Sequence, residues 1–536
     1  MEVKKENERE ELHRTIWSIA NDLRGSVDGW DFKQYVLGML FYRYISESIV
    51  EYINKNERKI NKDFNYADLE DDEAQVVKED MIKDIGFFIL PSELFSNIQK
   101  KANEKGNLEH INEDLSKAFK NIEASSIGEI SEKNFKGLFD DIDVNSNKLG
   151  GSVKERNERL VKLINGIALM NLTKCENSSI DTFGDAYEFL MGMYASNAGK
   201  SGGEYFTPQE VSELLAKITV VGKKEVSKVY DPAVGSGSLL LKFAKVLGKD
   251  NVKNGFFGQE INLTTYNLCR INLFLHDIGY ENFLIEHGDN LINPKHEDKA
   301  PFEAIVSNPP YSIKWEGSDN ATLINDKRFS PAGVLSPKSK ADFAFIMHCL
   351  YYLDKNGTAA IVTFPGIMYR SGKEKQIRKY LVENNYIDAI IGLPENLFYG
   401  TGIATCIMVL KKNKKDENVL FVDASKEAKK VTNNNRLTTD SDNEDNNNVK
   451  NILSWYEKRQ DVLHIASLVN KERIMENDYN LSVLTYVEKD KGTCEIDIKE
   501  LNNKLKKMVA REMELRNEIN KIIFELEGEE GVWKGF

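Results

Sequence analysis

Between about residue 170 and residue 425, short apolar runs alternate with helical stretches, and this alternation constrains the fold more than any other feature of the chain. The runs are KVYDPAVGSG, NGFFGQEIN, FLIEHGDNL, FEAIVSNPPY, GTAAIVTFPG, IDAIIGLP and ATCIMVLKK. Strands that alternate with helices are typical of a mainly parallel sheet covered by helices on both faces. We therefore predict an α/β fold built on a doubly wound, mainly parallel sheet.

Helical patterns flank this region on both sides. Residues 31–53 place apolar side chains at helical spacing behind Asp31, which is a candidate N-cap. The aromatic residues Phe41, Tyr42 and Tyr44 could offer a base-stacking surface, but core packing is the stronger expectation for aromatics on a helix. The predicted division is a helical N-terminal domain over 1–165, an α/β domain over 166–480 and a helical C-terminal tail over 481–536.

The composition excludes several classes of protein. No apolar run approaches the roughly 18 residues of a membrane span, and the N-terminus lacks the apolar segment of a secretory signal. The five cysteines form no CxxC pair, so we expect a cytoplasmic protein without a metal site or disulfides. The net charge of −13 indicates that any grip on nucleic acid depends on another chain. Residues 426–450 are rich in Asn and Asp and predict a mobile loop or linker.

Carboxylates follow three successive predicted strands. Asp231 ends the first strand, and Gly235 and Gly237 form a turn before a helix, which lets the backbone approach a ligand. Glu260 follows the second strand, where an acid can accept both hydroxyls of a ribose. Asp289 follows the third, where it could take an adenine amino group or only cap the next turn.

These three acids define the kind of ligand. They would repel a phosphate-rich molecule, but not a nucleoside that carries a positive sulfonium. Leu240 occupies the third glycine position of the dinucleotide fingerprint, which argues against that class. We therefore predict S-adenosylmethionine as cofactor rather than NAD or ATP.

A fourth strand ends in the turn Asn308-Pro309-Pro310-Tyr311. The Asn308 side-chain oxygen and the Pro309 carbonyl are two acceptors that could hold both hydrogens of an exocyclic amine. They would draw the amine towards tetrahedral geometry and free its lone pair to attack a methyl group. Tyr311 offers a face on which a flipped base can stack. We predict that these four residues, Asn308, Pro309, Pro310 and Tyr311, form the catalytic turn.

Five stretches of the chain together resemble the modification (M) subunit of type I restriction–modification systems: GGEYFTP (202–208), DPAVGSGSLL (231–240), GQEIN (258–262), SNPPY (307–311) and KADFAFIMH (340–348). The resemblance covers nearly the whole chain. It implies the class I S-adenosylmethionine-dependent methyltransferase fold over the α/β domain. It also implies a DNA adenine methyltransferase that acts on the 6-amino group in duplex DNA.

The resemblance also implies roles for residues and partners. The cofactor-binding residues would be Glu204, Tyr205, Phe206, Thr207, Pro208, Gln209, Asp231, Gly235, Ser236, Gly237, Ser238, Glu260 and Asp289. The implied partners are a specificity (S) subunit that reads the DNA sequence, a second copy of this chain, a restriction (R) motor subunit and duplex DNA. No membrane is implied.

Three alternatives remain open on chemistry alone. The same turn could methylate the 4-amino group of cytosine, an RNA base or a protein glutamine, and a chain of this kind could also be a non-catalytic scaffold. The loop 312–340 is locally basic through Lys314, Lys327, Arg328, Lys338 and Lys340, and it could order over DNA or be an ordinary solvated loop.

The C-terminal tail carries a heptad-like apolar seam with one charged interruption at Glu512. A helix with one narrow apolar stripe needs a partner, so the tail could dock on a specificity subunit or fold back on its own catalytic domain. The seam residues are Ile498, Leu501, Leu505, Met508, Leu515, Ile519, Ile522 and Leu526.

Overall fold

The computed structural model describes most of the chain. The described residues are 29–104, 107–170, 207–398, 402–431, 434–442, 446–489 and 498–527, with residues 14, 16, 172, 183, 184, 186, 187, 189 and 190. They fall into two compact units, one up to residue 488 and one from residue 489 onward.

Helices make up the regular structure described between Gly29 and Leu169. The long helix α1 (Gly29–Glu57) buries Phe41, Tyr42 and Tyr44, so their predicted place in a core is confirmed. Phe41 packs its ring against that of Phe274, 5.8 Å away between centroids, which joins this region to the α/β part. The boundary at residue 165 stays a prediction. The other helices are α2 (Asp71–Ala74), α3 (Lys78–Ile85), α4 (Phe95–Ala102), α5 (Ile111–Ser125), α6 (Glu132–Phe135) and α7 (Val153–Leu169).

The α/β part is organised around one nine-stranded sheet with the order β11-β8-β6-β7-β5-β4-β1-β2-β3. Its strands are β1 (Val229–Asp231), β2 (Phe256–Glu260), β3 (Phe283–His287), β4 (Phe302–Ser307), β5 (Leu353–Thr363), β6 (Ile387–Gly392), β7 (Cys406–Leu410), β8 (Val419–Asp423) and β11 (Ala466–Val469). Strands β3, β2, β1, β4 and β5 run parallel, as do β6 and β8. Strand β7 lies antiparallel between β5 and β6, and β11 is antiparallel to β8. The predicted doubly wound, mainly parallel sheet is confirmed.

Helices cover both faces of this sheet. Because side chains alternate along a strand, Val229 joins one buried cluster and Tyr230 the other, and Val306 and Ile305 divide in the same way. The helices are α8 (Gln209–Thr219), α9 (Ser238–Leu247), α10 (Leu263–Leu275), α11 (Ala321–Ile324), α12 (Asp342–Tyr352), α13 (Lys373–Glu383), α14 (Asn448–Lys458), α15 (Lys471–Glu476) and α16 (Val483–Tyr486).

The Asn/Asp-rich segment 426–450 is not a linker in its described part, so that prediction was wrong. It forms an antiparallel hairpin of β9 (Lys429–Val431) and β10 (Asn434–Arg436), followed by the start of α14. Leu437 and Thr438 are buried, and the Asn448 side-chain oxygen accepts hydrogen bonds from the Thr438 backbone and hydroxyl. Asn448 acts as a buried hydrogen-bonding group, which composition alone does not distinguish from a solvated asparagine.

The loop 312–340 is anchored to the core. Trp315, Leu323 and Phe329 are buried in the cluster that contains Tyr230. Arg328, counted among the outward basic residues of the sequence, is also buried, and it pairs with Asp326 at 2.7 Å. Lys314, Lys327 and Lys338 are exposed and Lys340 is half-buried, so contact with DNA remains a prediction for these four lysines.

The second unit contains one long helix, α17 (Ile498–Glu527). Its apolar residues Leu505, Met508, Leu515, Ile519 and Ile522 are exposed. Among the described residues, no helix is both long enough and apolar enough to cross a membrane.

Candidate active site

The candidate site lies at the topological switch point of the sheet, where the order of the strands reverses. Strands β1 and β4 are parallel neighbours, and the chain proceeds from β1 towards β2 and β3 on one side and from β4 towards β5 on the other. In open α/β sheets, ligands bind at such a switch point, outside the carboxyl ends of the strands. Asp231 ends β1 and Asn308 follows β4, so both predicted groups lie at this position.

Asp231 connects the two strand ends. Its Oδ1 accepts hydrogen bonds from the Ala233 N–H at 3.0 Å and from the Ser307 hydroxyl at 2.9 Å. Its Oδ2 is buried and has no hydrogen-bond partner within the described part of the chain. Complete burial, with a smaller contribution from the charge of Glu260, raises the pKa of Asp231 to about 7. The carboxyl thus fastens the glycine turn to the residue before Asn308.

The glycine turn requires residues without a side chain. Gly235 and Gly237 have φ of 54° and 82°, in the left-handed region that disfavours other residues. A Cβ on Gly237 would lie 2.9 Å from the Cys269 sulfur, which is closer than van der Waals contact allows. Helix α9 begins at the next residue, Ser238, so its N-terminus faces the turn. The absence of a side chain at Gly237 therefore lets the turn pack against Cys269 of helix α10.

Glu260 is held by the backbone at the end of β2. One carboxylate oxygen accepts from the Gly235 N–H at 3.0 Å, and the other accepts from the Asn262 N–H at 2.9 Å. Burial raises the pKa of Glu260, and the backbone hydrogen bonds act in the opposite direction. A carboxylate offers about four acceptor positions, so both oxygens retain capacity for two hydroxyl groups.

The segment after β3 is fixed by Asp289 and Asn290. Asp289 caps its own turn, because its Oδ1 accepts from the Leu291 N–H at 2.8 Å. The remaining acceptor positions of the Asp289 carboxylate stay available for the predicted contact with an adenine amino group. The Asn290 amide nitrogen donates to the Pro232 carbonyl at 2.7 Å, which ties the segment to the glycine turn.

A buried polar network that the sequence did not predict holds this segment through the Asn290 and Leu291 carbonyls. Arg328 donates to the Asn290 and Leu291 carbonyls and to His348 Nδ1. Because a guanidinium can only donate, His348 Nδ1 accepts and Nε2 carries the hydrogen towards the Tyr230 hydroxyl, 2.9 Å away. Burial and the charge of Arg328 lower the pKa of His348, so the ring is neutral. The one sequence signal for this network was His348, a polar ring at the end of the apolar stretch KADFAFIMH.

The catalytic turn is stabilised by polar contacts on several sides. The Asn308 amide nitrogen donates to the Thr207 hydroxyl at 3.1 Å, and the Tyr311 hydroxyl donates to the Asn308 side-chain oxygen. Ser312, with φ of 52°, donates its N–H to Asp342 Oδ1 at 3.0 Å. Burial raises the pKa of Tyr311, so its hydroxyl stays protonated. Sequence reasoning assigned no role to Asp342, although it lies in the quoted stretch KADFAFIMH.

Part of the predicted cofactor-binding stretch precedes α8. Thr207, Pro208 and Gln209 lie at the start of this helix, whereas the predicted residues Glu204, Tyr205 and Phe206 lie outside the described residues. Both polar atoms of the Gln209 amide are buried without a hydrogen-bond partner among the described residues. Unsatisfied buried groups are costly, so Gln209 is a candidate ligand-binding group.

These observations fit a nucleoside cofactor better than a phosphate-bearing one. Asp231, Glu260 and Asp289 lie at three adjacent strand ends, in agreement with the sequence prediction. The unsatisfied Gln209 amide, two residues after Thr207, adds hydrogen-bonding capacity. The described residues include no group of three His, Cys, Asp or Glu side chains placed to hold a metal ion.

Comparison with known proteins identifies the family. The N-6 DNA Methylase family model matches residues 178–493, and the HsdM N-terminal domain model matches residues 12–167. The type I restriction enzyme MpnII methylase subunit of Mycoplasma pneumoniae is 47% identical over 98% of this chain and 97% of that protein. The chain belongs to the N-6 DNA methylase family.

Solved structures agree with this assignment. The type I restriction–modification methyltransferase subunit from Streptococcus thermophilus has a TM-score of 0.79 and 34% identity, over 90% of this chain and all of that one. A chain from a structural study of complex assembly in a type I restriction–modification system has a TM-score of 0.63 at 16% identity, which shows the shared fold. The predicted resemblance and the class I S-adenosylmethionine-dependent methyltransferase fold are confirmed. As a type I methylase subunit of this family, the chain is an adenine-specific DNA methyltransferase.

Proposed function

We propose that this chain transfers the methyl group of S-adenosylmethionine to the 6-amino group of a specific adenine in duplex DNA, as the modification subunit of a type I restriction–modification complex. The observation that carries the proposal is the location of Asn308-Pro309-Pro310-Tyr311 beside three acidic strand ends at the switch point of the sheet. Membership of the N-6 DNA methylase family supports adenine over cytosine, RNA or protein glutamine as the substrate.

The residues at the first three strand ends would hold the cofactor. Glu260 accepts the ribose hydroxyls, Asp289 faces the adenine, and Asp231 keeps the glycine turn in place. Gln209 offers its unsatisfied amide to the methionine end. When bound, S-adenosylmethionine supplies a methyl group on a positively charged sulfur. A negative edge favours this cation, and it disfavours ligands that carry phosphates.

Asn308 and Pro309 would activate the substrate. The Asn308 side-chain oxygen and the Pro309 carbonyl accept the two hydrogens of the adenine 6-amino group. This withdraws the nitrogen lone pair from the ring, so that the nitrogen could form a bond to the methyl carbon as the carbon–sulfur bond breaks and the sulfur leaves as a neutral thioether. Asn308 is not a base, so the additional proton leaves the nitrogen to solvent after transfer.

Tyr311 would hold the target base after it leaves the duplex. The hydroxyl is tied to Asn308 and the backbone beyond it is tied to Asp342, so the ring is held at a defined angle beside the turn. Stacking of a base on an aromatic face contributes about 1–3 kcal/mol, which offsets part of the cost of unstacking it from the helix.

The remaining partners belong to the same proposal. The net charge of −13 opposes a strong unaided grip on DNA. A specificity subunit would supply sequence recognition, a second copy of this chain would methylate the other strand, and a restriction subunit would add cleavage. The exposed apolar residues of α17 support docking of the tail on the specificity subunit.

Co-expression with the neighbouring gene products tests the proposed reaction. We expect N6-methyladenine at one set of genomic sites with the native chain, and methylation that is slower by at least about 100-fold with Asn308→Ala. Methylation of cytosine instead, or a native rate of adenine methylation in Asn308→Ala, would contradict the proposal.

Truncation before Ile498 tests the role of the tail separately. The shortened chain should still bind S-adenosylmethionine in calorimetry, but it should no longer co-purify with the specificity subunit or methylate DNA. A matched pair refines the test: Leu515→Glu with Ile519→Glu should disrupt docking, whereas Lys507→Ala with Glu514→Ala, which lie farther from the apolar seam of α17, should not. Normal docking of the truncated chain would exclude this role.

A further inference from the structure

We propose that Thr207 is a positioning residue that determines which end of the Asn308 amide faces the substrate amine. The inference rests on the proposed catalytic role of Asn308 and goes further by naming the group that orients it. Thr207 lies 101 positions earlier in the chain, immediately before α8, and is buried beside the catalytic turn.

The orientation of this amide decides whether it can act. The two ends of an asparagine side chain are similar in shape, but the oxygen only accepts hydrogen bonds and the nitrogen only donates them. The oxygen can accept a hydrogen from an adenine amine. A reversed amide would place its own N–H against the N–H of the substrate, and the amine would not be activated.

Both ends of the Asn308 amide have a partner of the required kind. The nitrogen donates to the Thr207 hydroxyl at 3.1 Å, and the oxygen accepts from the Tyr311 hydroxyl. The oxygen has two lone pairs, so one remains for the substrate while Tyr311 keeps the other. Thr207 therefore binds the amide nitrogen, which the substrate amine does not use, and leaves the oxygen for the substrate.

The hydrogen of the Thr207 hydroxyl determines how selective this contact is. A hydroxyl has one hydrogen, and if that hydrogen points to another acceptor, the oxygen can only accept from Asn308. Thr207 directly precedes Pro208 and Gln209, in the stretch proposed to line the methionine end of the cofactor. The methionine carboxylate is such an acceptor. We infer that a bound cofactor favours the productive amide orientation through Thr207, before the base arrives.

Two substitutions separate the hydroxyl from the shape of this residue. Thr207→Val keeps the shape and removes the hydroxyl, whereas Thr207→Ser keeps the hydroxyl. In the complex with the specificity subunit, we expect Thr207→Val to lower kcat at saturating DNA and cofactor by about tenfold, as for loss of one hydrogen bond needed in the transition state. Thr207→Ser should stay within about twofold of the native kcat.

Binding and stability provide readouts that do not depend on turnover. The thermal unfolding temperature of the chain without cofactor should be the same for both variants. The Kd for S-adenosylmethionine should rise more in Thr207→Val than in Thr207→Ser. A native kcat in Thr207→Val, or an equal loss in both variants, would overturn the positioning role.

A double-mutant cycle with Asn308→Asp tests orientation itself. A carboxylate accepts at both ends, so it has no wrong orientation, and Thr207→Val should then cost less than about twofold in kcat. An equal cost of Thr207→Val in the native chain and in the Asn308→Asp variant would contradict the proposal. Asn308→Ala distinguishes failure of the proposed catalytic chemistry from failure of the proposed role of Thr207. If Asn308→Ala retains native turnover, the proposed chemistry is wrong. If Asn308→Ala loses turnover but Thr207→Val is fully active, only the role of Thr207 is wrong.

Discussion

Glu260 and Asn308 lie at two strand ends of the same sheet, yet they are held in different ways. Both oxygens of Glu260 accept backbone N–H groups, from Gly235 and Asn262. The Asn308 amide is held by two side-chain hydroxyls, from Thr207 and Tyr311. Backbone groups stay in place as long as the fold does, whereas hydroxyls can rotate and exchange partners. In the cofactor half, Glu260 is therefore fixed by the backbone, whereas the Asn308 amide of the substrate half can change its partners.

The largest expected effect is on the substrate half. Asn308→Ala removes an acceptor needed in the transition state, so kcat should fall by about 10²–10³-fold, the range for loss of one electrostatic contact of this kind. The Kd for S-adenosylmethionine should change by about twofold at most, because the cofactor half is linked to Asn308 only through Thr207. Asn413→Ala, an exposed asparagine at the opposite edge of the sheet, serves as control in the same methylation assay. A parallel loss of cofactor binding would show that the two halves are not independent.

On the cofactor half, Glu260→Ala should weaken S-adenosylmethionine binding by about 1.5–3 kcal/mol, or roughly 10- to 150-fold in Kd, as for hydrogen bonds to a charged group. At saturating cofactor, kcat should recover most of its native value. Glu297→Ala, at an exposed position between β3 and β4, is the control for loss of one negative charge. Calorimetry that gives the native Kd would remove Glu260 from the site.

The Tyr311 ring and hydroxyl are expected to contribute separately. Tyr311→Ala should weaken capture of the flipped base by about 1–3 kcal/mol through lost stacking, read as a higher KM for DNA. Tyr311→Phe keeps the ring and should raise KM by less than about threefold. If Phe and Ala have equal effects, the hydroxyl rather than the aromatic face is the important group.

The smallest effect concerns stability and pH. Burial raises the pKa of Asp231 from its ordinary value of 3.8 to about 7, so the folded chain holds this proton more tightly than the unfolded chain. The contribution of Asp231 to stability therefore falls as pH rises from about 4 to about 7 and then levels off. Thermal unfolding at pH 5.5 and pH 8 should show the native chain losing at least about 1 kcal/mol relative to Asp231→Asn. An unchanged difference between the two proteins would place the ionisation of Asp231 outside this range.

The strand ends of this site could be predicted from the sequence, but its side-chain contacts could not. Apolar runs locate the ends of β1, β2 and β4, and the Pro309-Pro310 pair stops β4 because neither residue can donate to a ladder. The contact between Thr207 and Asn308 joins positions far apart in sequence and depends on how α8 packs.

Local composition was also misleading in two places. Arg328 reads as an outward basic residue, but the carbonyls of Asn290 and Leu291 and the carboxylate of Asp326 satisfy its donors inside the protein. The segment 426–450 reads as a linker, yet Leu437 is fully buried. In both cases the outcome was decided by partners that lie elsewhere in the chain.

The buried thiols of Cys269 and Cys406 offer a way to measure how often each half of the edge opens. Cys269 lies against Gly237 beneath the glycine turn, and Cys406 opens β7 next to the substrate half. Burial raises the pKa of both thiols, and because the thiolate is the reactive form, alkylation must wait for a transient opening. With Cys175, Cys349 and Cys494 replaced by serine, the alkylation rate at Cys269 would report the opening of the cofactor half and the rate at Cys406 the opening of the substrate half. Because β7 is hydrogen-bonded to β5 on one side and to β6 on the other, Cys406 should react more slowly than Cys269, which lies on helix α10.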